Sequence, residues 1–187
     1  MCGRGRMRGD GGVKMATHQA ALVPVLGEVQ AGPNGRFLTD IPVYYLPLPH
    51  GLDVKNLFAC EVQGDSMHPA YKCSDVVFAR QNGEPNSGDD CLVQLDWGET
   101  VIKRWHRIDK DTVQLISINP DYSPLEAKMQ QIKAVAKIVD SQWGASVRNC
   151  RVDLDDVSQP EDADDTGPTR YTIDINADMM HDQGLKK

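Results

Sequence analysis

The feature that most constrains this chain is a succession of short runs rich in Val, Ile and Leu, with no long stretch of helical period between them. The runs are Val23–Gln30, Phe58–Val62, Val76–Arg80, Cys91–Leu95, Thr100–His106, Val113–Ser117 and Ile132–Val139. Turn-forming segments separate them: GPNG at 32–35, NGEPNSGDD at 82–90, DWGE at 96–99, IDKD at 108–111 and NPDYSP at 119–124. Runs of this length bounded by Gly, Pro, Asn and Asp read as strands. The pattern predicts a mostly-β domain over residues 22–143, built of coiled, barrel-like sheets. Aromatic residues make up only 6% of the chain, so the core is expected to be aliphatic. The apolar stretch Ala20–Leu26 contains Pro24 and falls far short of the roughly 18 residues of a membrane span. No secretory apolar region follows the basic start, and a cytoplasmic location is expected.

The two ends differ from this middle in charge. Residues 1–21 hold Arg4, Arg6, Arg8 and Lys14 against Asp10, are rich in Gly, and read as a flexible leader. Residues 144–187 concentrate acid at Asp153–Asp156 and Glu161–Asp165 and read as a disordered acidic tail. Within that tail, RYTIDI at 170–175 alternates and is able to add one strand. A net charge of −7 argues against the whole chain being a nucleic-acid-binding surface. No helix-turn-helix pattern precedes the first strand. The five cysteines (Cys2, Cys60, Cys73, Cys91, Cys150) are odd in number and irregularly spaced, which suits idle thiols better than disulfides or a metal site. His50 and His106 lack metal-ligand spacing, and Trp97, Trp105 and Trp143 read as core or dimer-interface residues rather than base-stacking platforms.

Chemistry concentrates in Cys60–Arg80, where a strand ends at Gly64 and Ser66 stands in GDSMHP. Gly64 permits a sharp turn and Pro69 sets the exit, a setting in which a serine hydroxyl and nearby backbone amides can face one cavity. A Gly-Asp-Ser turn is usually only a turn, with Asp65 bracing it, and a serine needs a base. His68 is too close along the turn to reach back and fits the rim. In TVIKRWH, Lys103 alternates with Val101 and Trp105, so the three share a strand face. If that face is buried, desolvation favours the neutral amine, which can accept a serine proton. If it is not, Lys103 simply reaches water.

Taken together, Ser66 in GDSMHP, Lys103 in VIKRW and LISINPDYSP at 115–124 resemble the LexA-like serine peptidase domain, which also occurs in phage repressors and UmuD-type proteins. The Ser-to-Lys separation and the order of the motifs suit the family over about residues 23–143. Membrane signal peptidases share a serine of this type but need an N-terminal span. The resemblance implies a Ser66–Lys103 catalytic dyad, an oxyanion hole from the backbone amides of Asp65 and Ser66, and self-cleavage within segment 25–35 at Ala31–Gly32. Ala31 suits a small pocket and Gly32 lets the chain bend into the site. It implies no cofactor and no metal. The partners it implies are a second copy of the chain, an activating RecA–single-strand-DNA filament, and a full-length repressor or translesion polymerase. The function expected is self-cleaving regulation linked to DNA damage. The alternative is a non-cleaving dimerisation module that pairs with full-length repressors.

Overall fold

The computed structural model describes residues 21–27, 37, 42–81 and 84–154, together with the backbone of 157–158 and 172–173. The fold is mostly β, as the spacing of the runs predicts. Strands β1 (Leu22–Leu26), β2 (Pro42–Pro47), β3 (Leu57–Glu61), β4 (Val76–Arg80), β5 (Asp90–Leu95), β6 (Thr100–Arg107), β7 (Thr112–Ile116), β8 (Leu125–Lys128) and β9 (Ile132–Gln142) form one sheet. Their order across it is β2-β1-β3-β4-β9-β5-β6-β7-β8. Every neighbouring pair is antiparallel except β1 with β3. The sheet is coiled but open, with β2 and β8 at its two ends.

Each of the seven expected runs overlaps a strand of the sheet; β2 and β8 come in addition. The far end of the first run, to Gln30, lies outside the described residues. The pair β10 (Val157–Ser158) and β11 (Thr172–Ile173) is antiparallel, and β11 falls within RYTIDI. The ordered body runs past residue 143. A short helix α1 (Gly144–Val147) buries Val147, and Val152 exchanges two 2.9 Å backbone hydrogen bonds with Tyr45 of β2. Residues 1–20 of the leader, and the acidic tail beyond 154 apart from β10 and β11, lie outside the described residues.

Continuous apolar runs in the middle of the sheet are explained by burial on both faces. In β3 and β4, Phe58, Cys60, Val77 and Ala79 face a core shared with Leu92 of β5 and Ala134, Ala136 and Ile138 of β9. Their neighbours Leu57, Ala59, Val76 and Phe78 face the opposite core, with Val23, Val25, Tyr44 and Leu46 of β1 and β2. A third core gathers Cys91, Val93 and Leu95 around Trp105, which is fully buried, with Val113 and Leu115. Trp97 and Trp143 lie at the surface instead, 50% and 76% exposed. No helix among the described residues is long and apolar enough to cross a membrane.

Candidate active site

Ser66 lies in the connection between β3 and β4. At the end of β3 the chain is pinned by Val62, whose N–H donates to Asp75 O (2.7 Å) and whose carbonyl accepts from Ser74 N (2.9 Å). Gly64 then turns with φ of +75°, a region costly for any residue with a Cβ. Met67, 2% exposed, anchors the turn, and Tyr71 N–H donates back to Met67 O (3.0 Å). Tyr71 packs on the core under the loop and its hydroxyl donates to Asp90 Oδ2 of β5 (3.1 Å). Asp90 is held in turn by the Arg104 guanidinium, through Nε (2.9 Å) and Nη2 (3.1 Å).

Lys103 lies on β6, directly opposite Cys91 in the β5–β6 register and on the same strand face as Val101 and Trp105. In a flat sheet β3 and β6 would be four strand spacings apart, roughly 19 Å. Coiling of the sheet and the 63–73 loop close that distance, and Lys103 Nζ donates to Ser66 Oγ at 2.6 Å. Both side chains are half-buried. Desolvation by that burial holds the Lys103 pKa below its ordinary value of 10.5, and the Glu99 carboxylate opposes the shift. Both causes act on the charge of the ammonium: burial disfavours it and a nearby anion favours it.

A second loop, contributed by the 119–124 turn, holds the serine loop from one side. Asn119 N–H donates to Ser66 O (3.0 Å), and its side-chain Nδ2 donates to Asp65 O (3.3 Å). Tyr122 Oη donates to the Asp65 carboxylate, and its ring centroid is 5.8 Å from Lys103 Nζ. Asp65 therefore braces the turn. His68 is exposed, and its N–H donates to Asp65 O (2.9 Å). The amides of Asp65 and Ser66 donate to no other group among the described residues. Asn119, Tyr122 and Tyr71 are site residues that no candidate role in the sequence marks. Only the NPDYSP motif signals the first two, and a sequence separation of 54 hides the contact of Asn119 with Asp65.

Ser66 and Lys103 open on a cleft of about 660 Å³, lined also by Gly27, Glu61, Gln63, Met67, Gly98, Thr100, Ile102 and Lys133. Gly27, immediately after β1, is where the chain leaves the described residues toward Ala31 and Gly32, which lie outside them. The chain is anchored again at Phe37. That residue is 3% exposed, meets the Phe58 ring at a 46° tilt with centroids 5.5 Å apart, and has both backbone groups bound by Gln81, N–H to Oε1 (3.0 Å) and carbonyl from Nε2 (3.1 Å).

The family model described as Peptidase S24-like matches residues 24–139, more than half of the 187 residues. The chain belongs to the Peptidase S24-like family. Its relatives are LexA-like. The LexA repressor of Petrotoga mobilis is 31% identical over 121 residues, 63% of this chain and 58% of that protein. The LexA repressor of a Nocardioides species is 37% identical over 118 residues, 62% and 46% of the two chains. Repressor protein C of Rhizobium phage 16-3 is 31% identical over 83 residues, 43% and 32%. The chain spans about half the length of the LexA repressors it matches. The Peptidase S24-like match runs from within β1 through most of β9 and hence covers every residue of the cleft described above.

Proposed function

We propose that this Peptidase S24-like domain cuts its own chain at Ala31–Gly32, with Ser66 as nucleophile and Lys103 as base. The observation that carries the reading is the 2.6 Å contact between Lys103 Nζ and Ser66 Oγ inside a partly desolvated cleft. Ser66 Oγ attacks the Ala31 carbonyl carbon while neutral Lys103 accepts the hydroxyl proton. The Asp65 and Ser66 amides, uncommitted to other described groups, receive the oxyanion. The bond to the Gly32 nitrogen then breaks as Lys103 returns the proton to it, and water hydrolyses the Ala31 ester. Reach supports an intramolecular reaction. Gly27 lines the cleft, and the four residues from Gly27 to Ala31 span up to roughly 14 Å when extended. A tethered substrate also needs only a modest catalyst.

The LexA-like relatives favour a role in DNA-damage-linked regulation, with the chain acting as a dimer and an activated RecA filament on single-stranded DNA promoting the cut. A full-length repressor or a translesion polymerase is the matching downstream partner. The test is intact-mass spectrometry of wild type, Ser66→Ala and Lys103→Ala after incubation at pH 7 and near pH 10, close to the ordinary lysine pKa. A new species beginning at Gly32, faster at high pH and absent from both variants, is expected. A chain that stays intact at both pH values and with RecA, single-stranded DNA and nucleotide would point instead to the non-cleaving dimerisation module.

A further inference from the structure

We infer that Asn119 is a positioning residue for the oxyanion-binding amide of Ser66, acting from the 119–122 turn rather than from the cleft. The inference rests on the proposed Ser66 chemistry and adds a group that sets its geometry. A peptide unit is planar and trans, so its N–H points opposite to its C=O. Asn119 holds Ser66 O through its backbone N–H (3.0 Å) and, through Nδ2 (3.3 Å), shares the preceding carbonyl, Asp65 O, with His68 N–H (2.9 Å). The Asp65 carbonyl shares its plane with the Ser66 N–H, and the Ser66 carbonyl shares its plane with the Met67 N–H. Drawing both carbonyls toward Asn119 turns both N–H groups away from it. Ser66 and Met67 line the cleft, whereas no residue of the 119–122 turn does. The N–H groups are therefore aimed away from the turn, toward the cleft side of the loop.

Two further contacts make the turn a rigid holder. Asn119 Oδ1 accepts from Asp121 N–H (3.0 Å), which fixes the amide with its Nδ2 toward Asp65. Tyr122, three residues on, ties the Asp65 side chain. Asn119 touches neither Ser66 Oγ nor Lys103 in these contacts, so it acts through the loop and leaves the proton chemistry alone. Asparagine suits the place because one side chain must donate to Asp65 O and accept from Asp121 N–H at once. Aspartate keeps the acceptor and shape but loses the donor; alanine loses both side-chain bonds and keeps the backbone bond to Ser66 O.

The test uses the full chain and an activated ester, p-nitrophenyl acetate, whose acylation of Ser66 passes through a tetrahedral oxyanion without needing Ala31–Gly32. Ser66 Oγ bonds to the acetyl carbon, nitrophenolate leaves, and Lys103 takes the hydroxyl proton. The rate is followed by nitrophenolate absorbance and by acetyl-Ser66 mass across pH 7–10.5, for wild type, Asn119→Asp and Asn119→Ala, with thermal melts alongside. Both variants are expected to lose about 10- to 100-fold in the alkaline plateau, somewhat less than deleting an oxyanion donor outright. The midpoint of the pH profile should stay at the wild-type value, because Lys103 is untouched, and the variants should remain folded at the assay temperature. A plateau within twofold of wild type in Asn119→Ala would overturn the positioning role. So would a lost rate accompanied by a moved midpoint or by unfolding. A wild type that is acylated but never cuts itself would sink the self-cleavage reading and leave the Asn119 role standing. A wild type inert to the ester would overturn both.

Discussion

The sharpest prediction concerns Glu99, whose carboxylate favours the ammonium of Lys103. At pH 7.5 a lysine with the ordinary pKa of 10.5 is neutral in roughly one molecule in a thousand, and each unit of depression raises that tenfold. Burial depresses the Lys103 value, so the cleavage rate should climb about tenfold per pH unit at low pH and level off with a midpoint below 10.5. Glu99→Gln removes the opposing charge and should move the midpoint further down. A carboxylate acting across a partly solvated gap is worth about 0.5–1 kcal/mol, so the variant should cleave roughly 2- to 5-fold faster at pH 7.5. The alkaline plateau should not change, since the amine there is already neutral. Glutamine preserves an oxygen acceptor for Trp97 Nε1, which donates to Glu99 Oε2 at 3.1 Å, so the turn should survive the change. The assay is the initial rate of the Gly32-starting fragment by intact mass over pH 7–10.5. The same depressed pKa fixes a stability sign. Between the folded and unfolded values the unfolded chain binds more protons, so stability should rise with pH across that window. A midpoint at or above 10.5, or a Glu99→Gln profile displaced upward, would refute the claim that desolvation rather than Glu99 dominates the site.

Gly144 carries a Cβ position that overlaps the Ser74 carbonyl oxygen, while its N–H donates to Asp75 Oδ1 at 3.1 Å. Gly144→Ala should cost about 1–3 kcal/mol by chemical denaturation, and an unchanged midpoint would argue that α1 moves freely on the Ser74 turn. Burial pushes the Cys60 and Cys91 thiols up to about 12, whereas Cys73 and Cys150 are exposed. Brief iodoacetamide treatment of native protein at pH 8 should therefore modify Cys73 and Cys150 and spare the other two, as peptide mapping would show. Trp105 is fully buried and its Nε1 has no partner among the described residues. Trp105→Ala should cost about 3–5 kcal/mol by urea titration, and Trp105→Phe clearly less, because phenylalanine refills most of the space without an unsatisfied donor. Finally, β1 contributes Leu22, Val23, Val25 and Leu26, each at most 2% exposed, between β2 and β3. A chain cut after Ala31 should keep its first fragment through native size-exclusion chromatography and release it only in denaturant, since each such side chain is worth about 1.5–3 kcal/mol buried.

Much of the strand inventory was legible in the sequence because burial on both faces writes itself as an unbroken apolar run, as in VVFAR and LFACE. The two strands of the nine-stranded sheet that no apolar run marks are its two ends. In PVYYLP the flanking prolines read as breaks, and LEAK is short and poor in β-formers. Each is a strand because a neighbour supplies its hydrogen bonds, β1 for one and β7 for the other. The docking of Val147 and Val152 was hidden for a related reason, since the surrounding acid made the segment look like solvated tail.

At the site the division is equally physical. Period-two alternation placed Lys103 on the Trp105 face from the sequence alone, because side-chain direction along a strand is local geometry. The GDSMHP turn likewise announced a sharp bend at Gly64, since only backbone freedom is involved. Whether Lys103 met Ser66 or water was not local. It depended on the coiling of a nine-stranded sheet that folds a distance of roughly 19 Å down to a hydrogen bond. The desolvation of Lys103 and the grip of Asn119 and Tyr122 on the serine loop have the same origin. They are properties of groups far apart in the chain, and only the coiling of the open sheet and the loops packed on it bring those groups within reach of one another.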